Sequence, residues 1–85
     1  MNQNIVERSQ LIKILRDTFP GAVFDENDQD LGLGSFEEWD SLGNFNLLLQ
    51  VEDYAGIRFD ADEISEIKTL AALLEALRRH QADGN

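Results

Sequence analysis

Eighty-five residues with 42% hydrophobic content supply one small globular domain, and at this size only about 60% of the unfolded chain's surface is buried, which argues against a deep internal active site. The chain has no Cys and a single His, His80, so disulfide frameworks, thiol nucleophiles and Cys- or His-based metal sites are removed together. Seventeen acidic side chains against seven basic ones give a formal charge of −10, which repels phosphate backbones and anionic lipid headgroups and excludes nucleic acid and membrane surfaces as expected partners.

From the N-terminus, Asn4 and Glu7 have capping-box spacing, and Ile5, Ile12, Leu15 and Phe19 follow at helical steps. This predicts a first helix over 4–18, stopped by Phe19-Pro20-Gly21. Residues 20–39 carry no sustained period. A loop of this length in so small a domain is functional or a misread element, and Val23, Phe24, Leu31, Leu33, Phe36 and Trp39 predict that it is pinned against the helices. A second helix is expected over 41–55, apolar on more than one side, with Gly56 as its left-handed stop. Asp60 and Glu63 frame a capping box for a short third helix over 61–67. Thr69 then opens a fourth over 69–80, in which Leu70, Leu73, Leu74 and Leu77 recur at one face and Arg78, Arg79 and His80 suit the negative helix end as solvated cations. Residues 81–85 are expected to be a disordered tail. The predicted fold is all-α: a single four-helix bundle with a long first loop and a short third helix.

Charge is concentrated in the middle. Thirteen carboxylates and Arg58 between Asp25 and Glu66 sum to −12, and the two ends together to +2. The run Asp25 to Asp30 invites a calcium site, but a loop starting at Asn27 places Leu31 at a ligand position, and one starting at Glu26 places Leu31 where the invariant Gly belongs. No metal site is expected. Glu37 and Glu38 have no pocket to separate their proton affinities for acid and base work, and Ser41 has no His or Lys nearby in sequence to activate it. Catalysis by this chain's own side chains is not expected. No apolar run approaches the ~20 residues of a membrane-spanning helix, and the opening Met1 to Asn4 lacks the basic and apolar regions of a signal peptide. A cytoplasmic monomer is the expectation.

Asp40-Ser41-Leu42 stands where the acidic loop meets the second helix, and Thr69 follows Ser41 by twenty-eight positions. An ordinary N-cap accounts for such a tripeptide taken alone. Here it is followed in order by Glu52-Asp53, Gly56-Ile57, Asp62-Glu63-Ile64 and Ile67-x-Thr69. In this layout the chain resembles the acyl carrier protein family from about Asn4 to His80, most strongly over Glu38 to Thr69. The resemblance implies that Ser41, flanked by Asp40 and Leu42, receives 4′-phosphopantetheine from coenzyme A and carries acyl groups as thioesters on the arm's thiol.

It further implies a covalent substrate, not an enzyme. The partners would be a phosphopantetheinyl transferase and acyl-transferring, condensing or acyl-activating enzymes with basic docking patches, met by Phe45, Leu49, Glu52 and Asp53. Leu47, Val51, Phe59, Ile64 and Ile67 match the residues that line the acyl chain in the family, although at helical spacing plain core packing accounts equally well for each. The chain departs from the family's pattern at Glu38, where Gly is common, and at Gly43 and Asn46, where carriers of fatty acid synthesis bear acids. Phe45 is bulkier than the usual aliphatic residue. These departures point to a specialised carrier of a polyketide or other secondary pathway more than to a housekeeping fatty-acid one. The competing expectation is an unmodified acidic interaction module that docks through helix two.

Overall fold

The computed structural model describes residues 6–83, in which four helices follow one another: α1 (Arg8–Thr18), α2 (Ser41–Ala55), α3 (Ala61–Glu66) and α4 (Leu70–Asp83). Among the described residues there is no strand, only one isolated antiparallel bridge between Gly32 and Thr69. Among the described residues no helix is long and apolar enough to cross a membrane.

The first helix begins later than its sequence spacing suggests. Glu7 is the N-cap, with its own N–H donated to Gln10 Oε1 at 3.0 Å, so the box is shifted by one turn from the expected Asn4–Glu7 pair. Asn4 and Ile5 lie outside the described residues. The shift has a packing cause: Val6 and Leu11 occupy the two positions of a hydrophobic staple across the new cap, and both are buried in the core. At the other end of the chain α4 runs on to Asp83, so residues 81–83 belong to the helix and not to a tail.

The core is built from Leu11, Ile12, Leu15 and Phe19 of α1, Leu47, Leu48, Val51 and Ala55 of α2, and Leu70, Leu73, Ala76 and Leu77 of α4. α1 packs against both α2 and α4. Gly56 ends α2 at φ 72°, and its N–H closes on the Glu52 carbonyl at 2.9 Å. α3 buries no residue completely. It is held by its ends: Asp60 and Glu63 exchange cap hydrogen bonds at 2.8 and 3.0 Å, and the Glu63 carboxylate reaches His80 Nε2 on α4 at 2.9 Å. His80 is therefore half-buried, with its ring edge-on to Phe59 at 5.4 Å, where a solvated helix-end cation was the expectation.

The long first connection is pinned to the helices. Leu31 and Trp39 are fully buried, and Phe24 and Phe36 pack on the core. Phe36 meets Phe19 at 5.3 Å and Trp39 at 5.6 Å between ring centroids. Arg8 donates to the carbonyls of Glu26 (2.6 Å) and Asp28 (3.0 Å), and Arg16 pairs with the Glu26 carboxylate while lying over the Phe24 ring. Two of the positive charges on α1 thus hold down the start of the acidic segment. Val23 and Leu33 differ from expectation: they are 91% and 40% exposed.

Candidate functional site at the start of helix two

Ser41 is the first residue of α2, and the N-cap is its neighbour Asp40. The Asp40 carboxylate accepts the Gly43 N–H at 2.8 Å and its carbonyl accepts the Asn44 N–H at 2.7 Å. The cap is made by Asp40 without the Ser41 hydroxyl, and Ser41 stands exposed beside the exposed Leu42. The other three serines are committed: Ser9 Oγ donates to Gln10 Oε1 (3.3 Å), Ser35 Oγ accepts the Gly32 N–H (2.9 Å), and Ser65 Oγ donates to the Asp62 carbonyl (2.9 Å). Among the described residues, Ser41 alone of the four has a hydroxyl with no hydrogen-bond partner.

The turn that presents Ser41 is fixed from beneath. Trp39 is fully buried, and its Nε1–H donates to Asn44 Oδ1 at 2.9 Å, while Asn44 Nδ2 donates to the Ile67 carbonyl at 2.8 Å. One buried amide therefore ties the residue two before Ser41 to the end of α3. Asn44 was not singled out in the sequence, although it sits on the inward face of α2, one turn before Leu47 and Leu48. A polar side chain in that register needs a partner, and this was the available signal. Gly43 completes the arrangement: a Cβ there would overlap the Glu38 carbonyl oxygen and come within 2.9 Å of the Phe19 ring. On the other side, Leu33 donates to the Lys68 carbonyl (2.8 Å) and Leu70 to the Leu31 carbonyl (2.9 Å), so the loop and the α3–α4 joint are registered against each other.

Beside Ser41 lies a depression of about 250 Å³, bounded by Leu33, Phe45, Ile64, Ser65 and Lys68. Of the five residues matched to an acyl-chain lining, only Ile64 opens on it. Leu47, Val51, Phe59 and Ile67 are buried in the core, where they fill the space between helices. The expected docking set also divides. Phe45 and Leu49 are each 43% exposed and continue a stripe begun by Leu42, and Asp53 is exposed. Glu52 is buried instead: its Oε2 accepts the Phe59 N–H at 2.7 Å, and it braces the α2–α3 connection from inside. Asp53 borders a broader, open concavity of about 600 Å³ with Leu49, Ile57 and Arg58. Gly43 is likewise an inward position, so its lack of an acid reflects close packing. Glu37 and Glu38 are exposed on the loop.

Compared with protein-family models, with curated proteins and with solved structures, the chain matches none.

Proposed function

We propose that this chain is an acyl carrier in which Ser41 bears 4′-phosphopantetheine. The observation that carries the reading is the division of labour at Asp40-Ser41: the aspartate caps the helix, and the serine hydroxyl stands exposed with no task in the fold. The position also suits the product, because the phosphodiester anion formed on Ser41 lies at the positive end of a fifteen-residue helix.

In the transfer, Ser41 Oγ forms a bond to the pantetheine-side phosphorus of coenzyme A. The pyrophosphate bridge breaks and 3′-phosphoadenosine 5′-phosphate leaves with the bonding electrons. The serine proton passes to a base supplied by the transferase, which also brings its magnesium. Nothing in this step asks the carrier for catalysis. Acyl groups then load on the arm's thiol, a group this Cys-free chain lacks, and basic partner enzymes meet an anionic domain whose exposed α2 stripe is Leu42, Phe45 and Leu49. With Asn46 uncharged on that helix, a specialised cytoplasmic pathway of polyketide type fits better than fatty acid synthesis.

Incubation with coenzyme A and a broad-specificity phosphopantetheinyl transferase, followed by intact-mass measurement, tests the reading. One phosphopantetheinyl increment is expected in the wild type and none in Ser41→Ala. An unmodified wild type, or an increment that persists in Ser41→Ala, would leave the acidic interaction module docking through α2 as the better account.

A further inference from the structure

Wherever a phosphodiester is built on Ser41, it enters a strongly negative neighbourhood. Glu37, Glu38 and Asp40 precede it on the exposed surface, within a segment that sums to −12. At 0.1 M salt the Debye length is about 10 Å, so these charges are only partly screened from the new one. Several of the other basic side chains are paired or placed elsewhere. Arg8 and Arg16 hold the loop at Glu26 and Asp28, Arg58 borders the concavity at the far end of α2, and His80 is paired with Glu63.

Lys68 differs from all of them. It borders the same depression as Ser41, and among the described residues its ammonium makes no hydrogen bond or ion pair. Its backbone is nevertheless held on both sides. The preceding carbonyl, of Ile67, accepts from Asn44 in the first turn of α2, and its own carbonyl accepts from Leu33 of the loop. The stem of Lys68 is thus rooted at a fixed place relative to Ser41 while its charged end remains uncommitted.

We infer that Lys68 is the positioning residue for the arm, pairing its ammonium with the phosphodiester on Ser41 and directing the pantetheine over the depression floored by Phe45 and Ile64. The inference rests on Ser41 carrying the arm. Lys68 takes no part in forming the bond. It offsets the local acidic field and limits the directions in which the phosphate can leave the helix end, which the helix dipole alone does not do.

A thermodynamic cycle separates this role from a structural one. Wild type, Lys68→Met and Lys68→Arg are each prepared unmodified and phosphopantetheinylated, with completeness read by intact mass, and unfolded in denaturant at low and high salt. Methionine keeps the apolar stem, so a purely structural effect moves both forms equally and cancels. The expected result is that modification changes the unfolding constant of Lys68→Met less favourably than that of wild type, by about 1.5- to 5-fold at low salt, the range of an exposed ion pair. Arginine restores the wild-type value, and high salt removes the difference. The phosphorus NMR resonance of the modified wild type should also shift with salt more than that of Lys68→Met. Full modification of all three proteins with no coupling and superimposable phosphorus resonances would overturn the role of Lys68 and leave the carrier reading standing. Absence of the mass increment in the wild type would overturn both.

Discussion

Gly43 lies flat against the carbonyl oxygen of Glu38, five residues earlier in the chain, with the Phe19 ring closing the other side. The loop can turn into α2 this tightly only because position 43 has no Cβ. Gly43→Ala is therefore expected to lose stability, since overpacking costs about 1–3 kcal/mol and the gain in helix propensity returns about 1 kcal/mol at most. Gly43→Asp should lose more, because it sets a carboxylate against a carbonyl oxygen. Urea midpoints of the two variants against wild type check this. An unchanged midpoint for Gly43→Ala would mean that the loop yields easily.

Glu52 and Asp53 are adjacent acids with opposite roles. Glu52 accepts the buried Phe59 N–H at 2.7 Å, whereas Asp53 is exposed. Glu52→Ala leaves that N–H without its partner and is expected to cost about 1–3 kcal/mol, with Glu52→Gln recovering much of the loss through its amide oxygen. Asp53→Ala should stay within about 0.5 kcal/mol of wild type. Denaturant unfolding distinguishes them. If partner enzymes recognise acids late in α2, only Asp53 can serve, and only its removal should slow a partner without destabilising the fold.

The contrast between these neighbours shows what one sequence can and cannot disclose. Helix positions follow from local signals, and the Asp60–Glu63 box, the Gly56 stop and the Thr69 start were all legible, because each acts within four residues. Glu52 was not, since its partner is seven residues away across a turn whose path no periodicity reveals. The same holds for Asn44, which joins Trp39 to Ile67, and for His80, which finds Glu63 seventeen residues earlier. The start of α1 moved because burial of Val6 outweighed a local spacing. The position of Ser41 was readable from its motif, whereas its freedom from hydrogen bonding required the coordinates of all four serines.

His80 and Glu63 tie α3 to α4 through a polar contact at 2.9 Å, reinforced by the edge contact of His80 on Phe59. A six-residue helix with no fully buried residue has little else to resist local opening. His80→Ala is expected to speed amide hydrogen exchange at Ile64 in α3 and at its C-cap Ile67 several-fold more than in α1, while lowering global stability by about 1 kcal/mol. Uniform acceleration throughout the chain would show that α3 opens only with the whole molecule.

The acidic middle of the chain should make the fold dependent on salt. Between Asp25 and Glu66 the charges sum to −12, and folding brings them closer together than they are in the extended chain. Local pairing offsets part of this field: Arg16 neutralises Glu26, and helix N-termini hold Asp40 and Asp60. Glu37, Glu38, Asp53, Asp62 and Glu66 are exposed, with no hydrogen bond or ion pair of their carboxylates among the described residues. Repulsion is long-ranged at about 0.01 M salt, where the Debye length is about 30 Å, and confined to near neighbours at about 1 M, where it is about 3 Å. Raising sodium chloride over that interval is expected to stabilise the protein by about 1 kcal/mol, or about 4–8 °C in melting temperature for a domain of this size. Neutralising two of the unpaired acids as Glu37→Gln with Glu38→Gln should raise the low-salt melting temperature and reduce the gain from salt, because it removes part of the same field. Thermal melts of both proteins at the two salt concentrations check this. A wild-type melting temperature that does not rise with salt would show that the helix N-termini and the Arg16–Glu26 pair already balance the acidic segment.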